Sequence, residues 1–166
     1  MKRFLLLDLK TSYVFIFVLF FTISCKTVFP ENYQAECYST ASDATYTVDI
    51  SYQDYNSIDE NRIKLSAVDA IIFRGLTGGK DCVAQKPMLN QSKSELKGSD
   101  FFKNLYGKNK NYEKYITHLQ KENQEVIDNG KQKKRINIHY RVTINKELLR
   151  KDLITAGLLK SLNSAF

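Results

Sequence analysis

Apolar and polar positions alternate with a period of two in two stretches of the chain. Tyr46, Val48, Ile50 and Tyr52 alternate with Thr45, Thr47, Asp49 and Ser51, the pattern of a strand with one buried face. Ile136, Ile138, Tyr140, Val142 and Ile144 alternate with Arg135, Asn137, His139, Arg141 and Thr143, which predicts a second, longer strand of the same kind. After the first strand the period changes. Leu65, Val68 and Ile72, flanked by Ala67 and Ile71, form the apolar stripe of a helix. Ser57 or Asp59 can cap it, Glu60 suits its positive end, and Gly75 fits its stop. Thr77-Gly78-Gly79-Lys80 then reads as a turn, and Val83 to Leu89 as a short strand ended by Pro87. Residues 90–99 are polar and expected to be exposed. Ser99 or Asp100 can cap a short helix through Phe101, Phe102, Leu105 and Tyr106, ended by Gly107. Tyr112, Tyr115, Ile116 and Leu119 recur at helical spacing and predict another short helix. Asn129-Gly130 is a two-residue hairpin signal, with a weaker strand before it around Glu122 to Asp128. Asn145 caps a last helix carrying Leu148, Leu149 and Leu153, which Gly157 would close.

The order is therefore strand, helix, irregular middle, hairpin and helix. The simplest packing is an α+β fold: a small, mostly antiparallel sheet with helices packed on one face. The opening strand and helix, with Ala67, Ala70 and Gly75, are similar to small periplasmic modules such as the N-terminal domains of TolB or of the flagellar assembly protein FlgT. That similarity implies a fold and no activity.

The N-terminus follows a different rule. Lys2, Arg3 and Lys10 precede an apolar run from Tyr13 to Ile23. As a helix those residues would cover about 16 Å against roughly 30 Å of bilayer hydrocarbon. Length and flanks favour a cleavable export signal over a membrane span. The alternative is an uncleaved anchor that also uses Phe4 to Leu7. It must place Asp8 and Lys10 in or beside the apolar core, at a cost of a few kcal/mol each.

The run ends in Phe21-Thr22-Ile23-Ser24-Cys25-Lys26, which resembles the lipobox of bacterial lipoprotein precursors. Ser24 matches the small residue before the cut and Cys25 the modified cysteine, while Thr22 stands where that family usually has Leu. The resemblance implies that residues 1–24 are a signal peptide and that Cys25 carries diacylglycerol. It also implies an acylated new N-terminus (a fatty acid such as palmitate). Two or more acyl chains anchor stably where one is marginal. Lys26, rather than Asp, follows the cysteine, which by the Gram-negative sorting pattern favours the outer membrane over the inner. The chain then divides into a signal (1–24), a lipidated cysteine with its tether (25–43) and a single α+β domain (44–166). The tether holds Pro30, Asn32 and a Ser39-Thr40-Ala41-Ser42-Asp43 stretch without a clear period.

Cysteine usage points to the same compartment. With Cys25 lipidated, Cys37 and Cys82 remain, and an oxidising periplasm permits them to pair. Closing a loop of that length contributes about 4 kcal/mol in the chain-entropy picture. The alternative is two free, buried cysteines acting as small apolar residues.

Composition adds little to this picture. The chain has 43% hydrophobic and 26% charged residues, which argues against disorder throughout. Lys2, Arg3 and Lys10 against Asp8 give the first 24 residues +2 of the net +7, leaving +5 after cleavage. That mild basic excess permits contact with anionic surfaces and requires none. No motif carries catalysis. Gly75 to Lys80 lacks the Walker order, since Asp81 follows Lys80 and the glycines end a helix instead of opening one. Two histidines, His118 and His139, and no Cys-x-x-Cys or His-Glu-x-x-His spacing argue against a metal. No cofactor is expected. His118 and Glu122 have the spacing of a helical surface pair.

The polar row of Arg135, His139 and Arg141 is a candidate anion-binding face. An enzyme built on it would need a carboxylate such as Asp49 on the same side of the sheet. Phe101 to Tyr115 interleaves lysines with aromatics, a pattern that holds single-stranded nucleic acid. Inward packing of the aromatics with solvated lysines accounts for it as well, and nucleic acid is not expected outside the cytoplasm. Lys131, Lys133, Lys134 and Arg135 form a basic cluster that could touch lipid headgroups, at about 1 kcal/mol per charge near the surface. The resulting expectation is a lipid-anchored envelope protein, facing the periplasm. It would bind an envelope protein or the cell wall and would not be an enzyme.

Overall fold

A computed structural model describes residues 32–40, 44–54, 58–79, 81–127 and 135–160, without the side chains at 54, 123–127 and 135–136. The signal, Cys25, the Asn129-Gly130 turn and Lys131, Lys133 and Lys134 lie outside the described residues.

Four antiparallel strands form one sheet: β1 (Tyr33–Thr40), β2 (Thr45–Asp54), β3 (Ile116–Ile127) and β4 (Arg135–Asn145), in the order β1-β2-β4-β3. The two alternating stretches become the central strands. Their register sets Val48 opposite Val142, Ile50 opposite Tyr140 and Tyr52 opposite Ile138, so both apolar rows face the same side. Every one of these six residues is buried. The fold is α+β, with its helices over this apolar face.

Helix α1 (Glu60–Asp69) begins where Asp59 accepts a hydrogen bond from the Asn61 amide at 3.1 Å. Ile63, Ala67, Val68 and Ile72 are fully buried on its inner side, and Ala67 and Ala70 allow close approach. Its last turn, Ala70–Arg74, widens into π geometry, with Gly75 N–H donating to the Ala70 carbonyl at 2.8 Å. The Ile71 and Ile72 carbonyls then accept from Met88 and Leu89 at 3.0 and 2.9 Å, so groups usually orphaned at a helix end are satisfied. Gly75 has φ +74°, and a Cβ there would overlap the Gln85 carbonyl oxygen. Helix α2 (Lys93–Leu96) starts with a Ser92–Glu95 capping box, and α3 (Asp100–Leu105) is capped by Ser99. Helix α4 (Lys146–Thr155) begins with Asn145 Oδ1 accepting from the Leu148 amide at 2.9 Å, and buries Leu149 and Leu153 completely.

Three expectations change. The segment read as a tether through residue 43 contains strand β1, which pairs with β2 from Tyr33 opposite Tyr52 to Thr40 opposite Tyr46. Its inward positions are partly small or polar, and a bulge between Cys37 and Ser39 breaks its alternation. The helix expected over Tyr112 to Leu119 is instead a 3₁₀ turn (Asn111–Tyr115) running into β3. Tyr112 and Tyr115 are three apart, one 3₁₀ turn, and both are buried. Ile116 and Leu119 are also three apart. A bulge between Ile116 and His118 keeps both on the core side, opposite Ile144 and Val142. Residues 83–89 make one isolated bridge, Gln85 with Leu76, instead of a strand. The polar stretch at 90–99 is largely exposed, as expected, and also holds α2. Among the described residues, no helix is long and apolar enough to cross a membrane.

Candidate functional site

The side of the sheet away from the helices is polar, because the same alternation that buries one row presents the other. Asp49 lies opposite Arg141, Ser51 opposite His139 and Thr47 opposite Thr143. On β1, Glu36 lies opposite Asp49 and Gln34 opposite Ser51. Thr47 and Thr143 share a hydroxyl hydrogen bond at 3.2 Å.

Arg141 is the centre of this face. Its Nε donates to Asp49 Oδ1 at 3.1 Å, its Nη1 lies 2.8 Å from Glu122 Oε1, and its guanidinium sits 3.6 Å above the Tyr38 ring centre. Two carboxylates and an aromatic ring therefore surround the one guanidinium. Asp49 does share a face with His139 and Arg141, the arrangement that a catalytic use of this face needs. It is spent on holding Arg141. The same ion pairs count against an anion receptor at Arg135, His139 and Arg141, since Arg141 is already engaged by Asp49 and Glu122. Arg135 starts β4, four residues or about 13 Å along the strand from His139. His118 and Glu122 are on a strand rather than a helix, with Glu122 paired to Arg141.

Beside Asp49 the face opens into a cavity of about 450 Å³, lined by Gln34, Glu36, Asp49, Ser51, Thr77 and His139, and by the Ala35 backbone. One wall is the segment after α1, which runs along the outer edge of β1. Cys37 N–H donates to the Thr77 carbonyl at 2.9 Å and Thr77 N–H to the Ala35 carbonyl at 3.3 Å. The approach is close: a Cβ on Gly79 would overlap the Cys37 carbonyl oxygen, so only glycine fits there. Cys37 and Cys82 lie at disulfide-bonding distance, with Cα atoms 5.6 Å apart. The described part of the glycine motif, Gly75 to Gly79, thus follows a helix and covers a sheet edge.

A second cluster is buried on the helical side, and the sequence reading missed it. The Asp69 side chain is 0% exposed. Its Oδ1 accepts from the Tyr106 hydroxyl at 2.7 Å, and its Oδ2 accepts from the Tyr33 hydroxyl and from Lys93 Nζ at 2.6 Å. Arg74 lies 4.0 Å from the same oxygen and stacks 4.1 Å from the Tyr33 ring centre. Burial, then the charge of Asp69, pushes both phenols well above their ordinary range, so they remain donors. One carboxylate thereby ties α1 to β1, to α2 and to the end of α3. An acid among Val68, Ala70, Ile71 and Ile72 was the available signal. A smaller cluster joins Lys114, Tyr115 and α4 at Asp152, with contacts of 2.6 and 2.9 Å. Burial alone would raise the Asp152 carboxyl, but hydrogen bonds from Lys114 and Tyr115 outweigh it and lower it.

In the basic-aromatic stretch, Phe102, Tyr106, Tyr112 and Tyr115 are buried, while Lys103, Lys108, Lys110 and Lys114 are exposed. These rings are packed inward and do not form a stacking platform. Among the described residues, no group of three His, Cys, Asp or Glu side chains is placed to hold a metal. Comparison with family models, with curated proteins and with solved structures found no significant match.

Proposed function

We propose that this chain is an exported, lipid-anchored envelope protein. Its domain acts as a binding or assembly module and not as an enzyme. The observation that carries this reading is the lipobox-like run Phe21 to Lys26 after a basic and then apolar segment. The Cys37–Cys82 pair supports it, because a disulfide at that position belongs to an oxidising compartment. So does the short distance between anchor and fold. Seven residues separate Cys25 from Tyr33, a reach of at most about 28 Å. The end of the sheet that carries the start of β1 would then face the membrane. That end also carries the end of β2, the start of β4 and the end of β3. The open polar face would stand beside the membrane, accessible to an envelope protein or cell-wall partner. By the residue after Cys25, the outer membrane is the favoured site.

The absence of catalysis is argued from how the polar groups are used. Among the described residues, Arg141 is spent on Asp49 and Glu122, and Asp69 on three donors. The deciding experiment is the intact mass of the membrane-extracted protein, with and without reduction. Loss of residues 1–24 with added diacylglycerol and acyl mass at Cys25 is expected, with a gain of two hydrogens on reduction. A full-length, unlipidated mass would put the uncleaved anchor in its place.

A further inference from the structure

We infer that the cavity on the open sheet face binds an uncharged, hydroxyl-rich ligand, a saccharide chain, held by Gln34, Glu36, Asp49, Ser51, Thr77 and His139. At about 450 Å³ the cavity falls in the range of small-molecule sites. It is built on rigid parts: two paired strands, the adjoining β4, and a wall hydrogen-bonded to β1 and positioned by the Cys37–Cys82 pair.

Ala35 reaches the cavity at its backbone, since its side chain faces the core opposite Ile50, so a lipid or an apolar peptide side chain would find little surface to bury. Recognition must come from hydrogen bonds. The lining offers carboxylates that only accept, hydroxyls and an amide that both donate and accept, and an imidazole. A chain of vicinal hydroxyls supplies donors to Glu36 and to Asp49 Oδ2, since Arg141 holds Oδ1, and acceptors to Gln34, Ser51 and Thr77.

Among the described side chains of this face, Glu36, Asp49 and Glu122 stand against one guanidinium, Arg141, which two of them already occupy. The described lining is therefore net acidic and disfavours phosphates, nucleotides and carboxylate ligands. That weighs against the anion-binding expectation, and an uncharged hydroxyl-rich ligand is the better fit. Tyr38 is 42% exposed and is held in place by Arg141 on the same face. It lies two residues beyond Glu36 along β1, or about 7 Å, where its ring can cover the apolar face of the next sugar. The saccharide thus has a hydrogen-bonded subsite followed by a stacking subsite.

This inference rests on reading the domain as a binding module and not on its anchor. It is tested by backbone-amide NMR on the membrane-extracted protein in a non-glycosidic detergent. Chitotetraose, cellotetraose and maltotetraose are titrated to about 10 mM, enough to detect a millimolar Kd, with heparin as the anionic control. At least one neutral oligosaccharide is expected to shift the amides of Gln34, Glu36, Ser51, Thr77 and His139. Glu36→Ala and Ser51→Ala each act at an accessible strand position, and the same spectra report their folding. Glu36→Ala should weaken binding about tenfold, as for loss of a charged acceptor, and Ser51→Ala by less. No shift with any of the three, shifts confined to other residues, or affinities unchanged in both variants would overturn the inference. Equal or stronger shifts with heparin would overturn it too, because they contradict the charge argument. The intact-mass result is independent of all these outcomes, so failure of the anchor and failure of the saccharide site are separable.

Discussion

Replacing Asp69 with Ala is the sharpest test of how this domain is held together. The carboxylate is fully buried and receives the Tyr33 and Tyr106 hydroxyls and Lys93 Nζ. Removing it takes the Asp69 acceptor from two buried phenols and the Asp69 charge from beside Lys93. Each hydrogen bond to a charged group is worth about 1.5–3 kcal/mol, and breaking a buried ion pair from one side costs about 3–5 kcal/mol. These figures overlap, because the same desolvation enters both. Lys93 is 25% exposed at its side chain and can turn to water, which lowers the total. About 4 kcal/mol is the resulting expectation, a large share of the roughly 5–15 kcal/mol that stabilises an ordinary domain. Urea unfolding followed by circular dichroism should show a lower midpoint at unchanged slope, the mark of a stability change without a change in exposed area. Asp69→Asn keeps the shape and one acceptor and should lose about half as much. An unfolding free energy within about 1 kcal/mol of the parent for Asp69→Ala would refute the reasoning. It would mean that the apolar packing of α1, and not the carboxylate, joins α2 and α3 to the sheet.

Two further outcomes follow from named contacts. With Cys37 and Cys82 45 positions apart, Cys82→Ser should cost about 4 kcal/mol in the chain-entropy picture, and reducing agent should destabilise the parent but not the variant. Equal response of both to reduction would mean that the pair is not bonded. The Asp152 carboxyl sits below its ordinary value because hydrogen bonds from Lys114 and Tyr115 outweigh burial. Its contribution is therefore present above the unfolded carboxyl pKa of about 4 and is lost as pH falls through the folded value. Lys114→Met should weaken the domain at neutral pH, with the gap to the parent closing below about pH 4 in chemical unfolding. A gap that persists into acid would show that Lys114 acts through packing instead of charge.

Much of the fold was legible wherever one rule governed several residues in succession. The two alternating strands, the Asp59, Ser99 and Asn145 caps and the Gly75 stop all appear where the pattern places them. The candidate site was legible only in part. His139, Arg141 and Asp49 do share a face, but that Arg141 is neutralised by Asp49 and Glu122 depends on strand order and register. The later part of β3 falls where a weak strand is expected, but its start at Ile116 to Leu119 reads as helix because a bulge moves residues of odd spacing to one face. That imitates a helical period over a few residues. Asp69 was passed over because an acid in an apolar helix gives no hint of which distant tyrosines meet it.

By itself, the sequence determined the basic-then-apolar pattern of the N-terminus, the α+β class and the apolar rows, since charge, length and period are properties of neighbours along the chain. Tertiary structure alone decided the order β1-β2-β4-β3 and the edge of β1 covered by the Thr77 segment. It also decided the meeting of Tyr33, Lys93 and Tyr106 at Asp69 and the acidic cavity on the open face. Each of these joins residues 24 or more positions apart at its longest reach, and no local period records such a pairing. Which remote partners satisfy a buried or half-buried charge is settled only when the whole chain has packed.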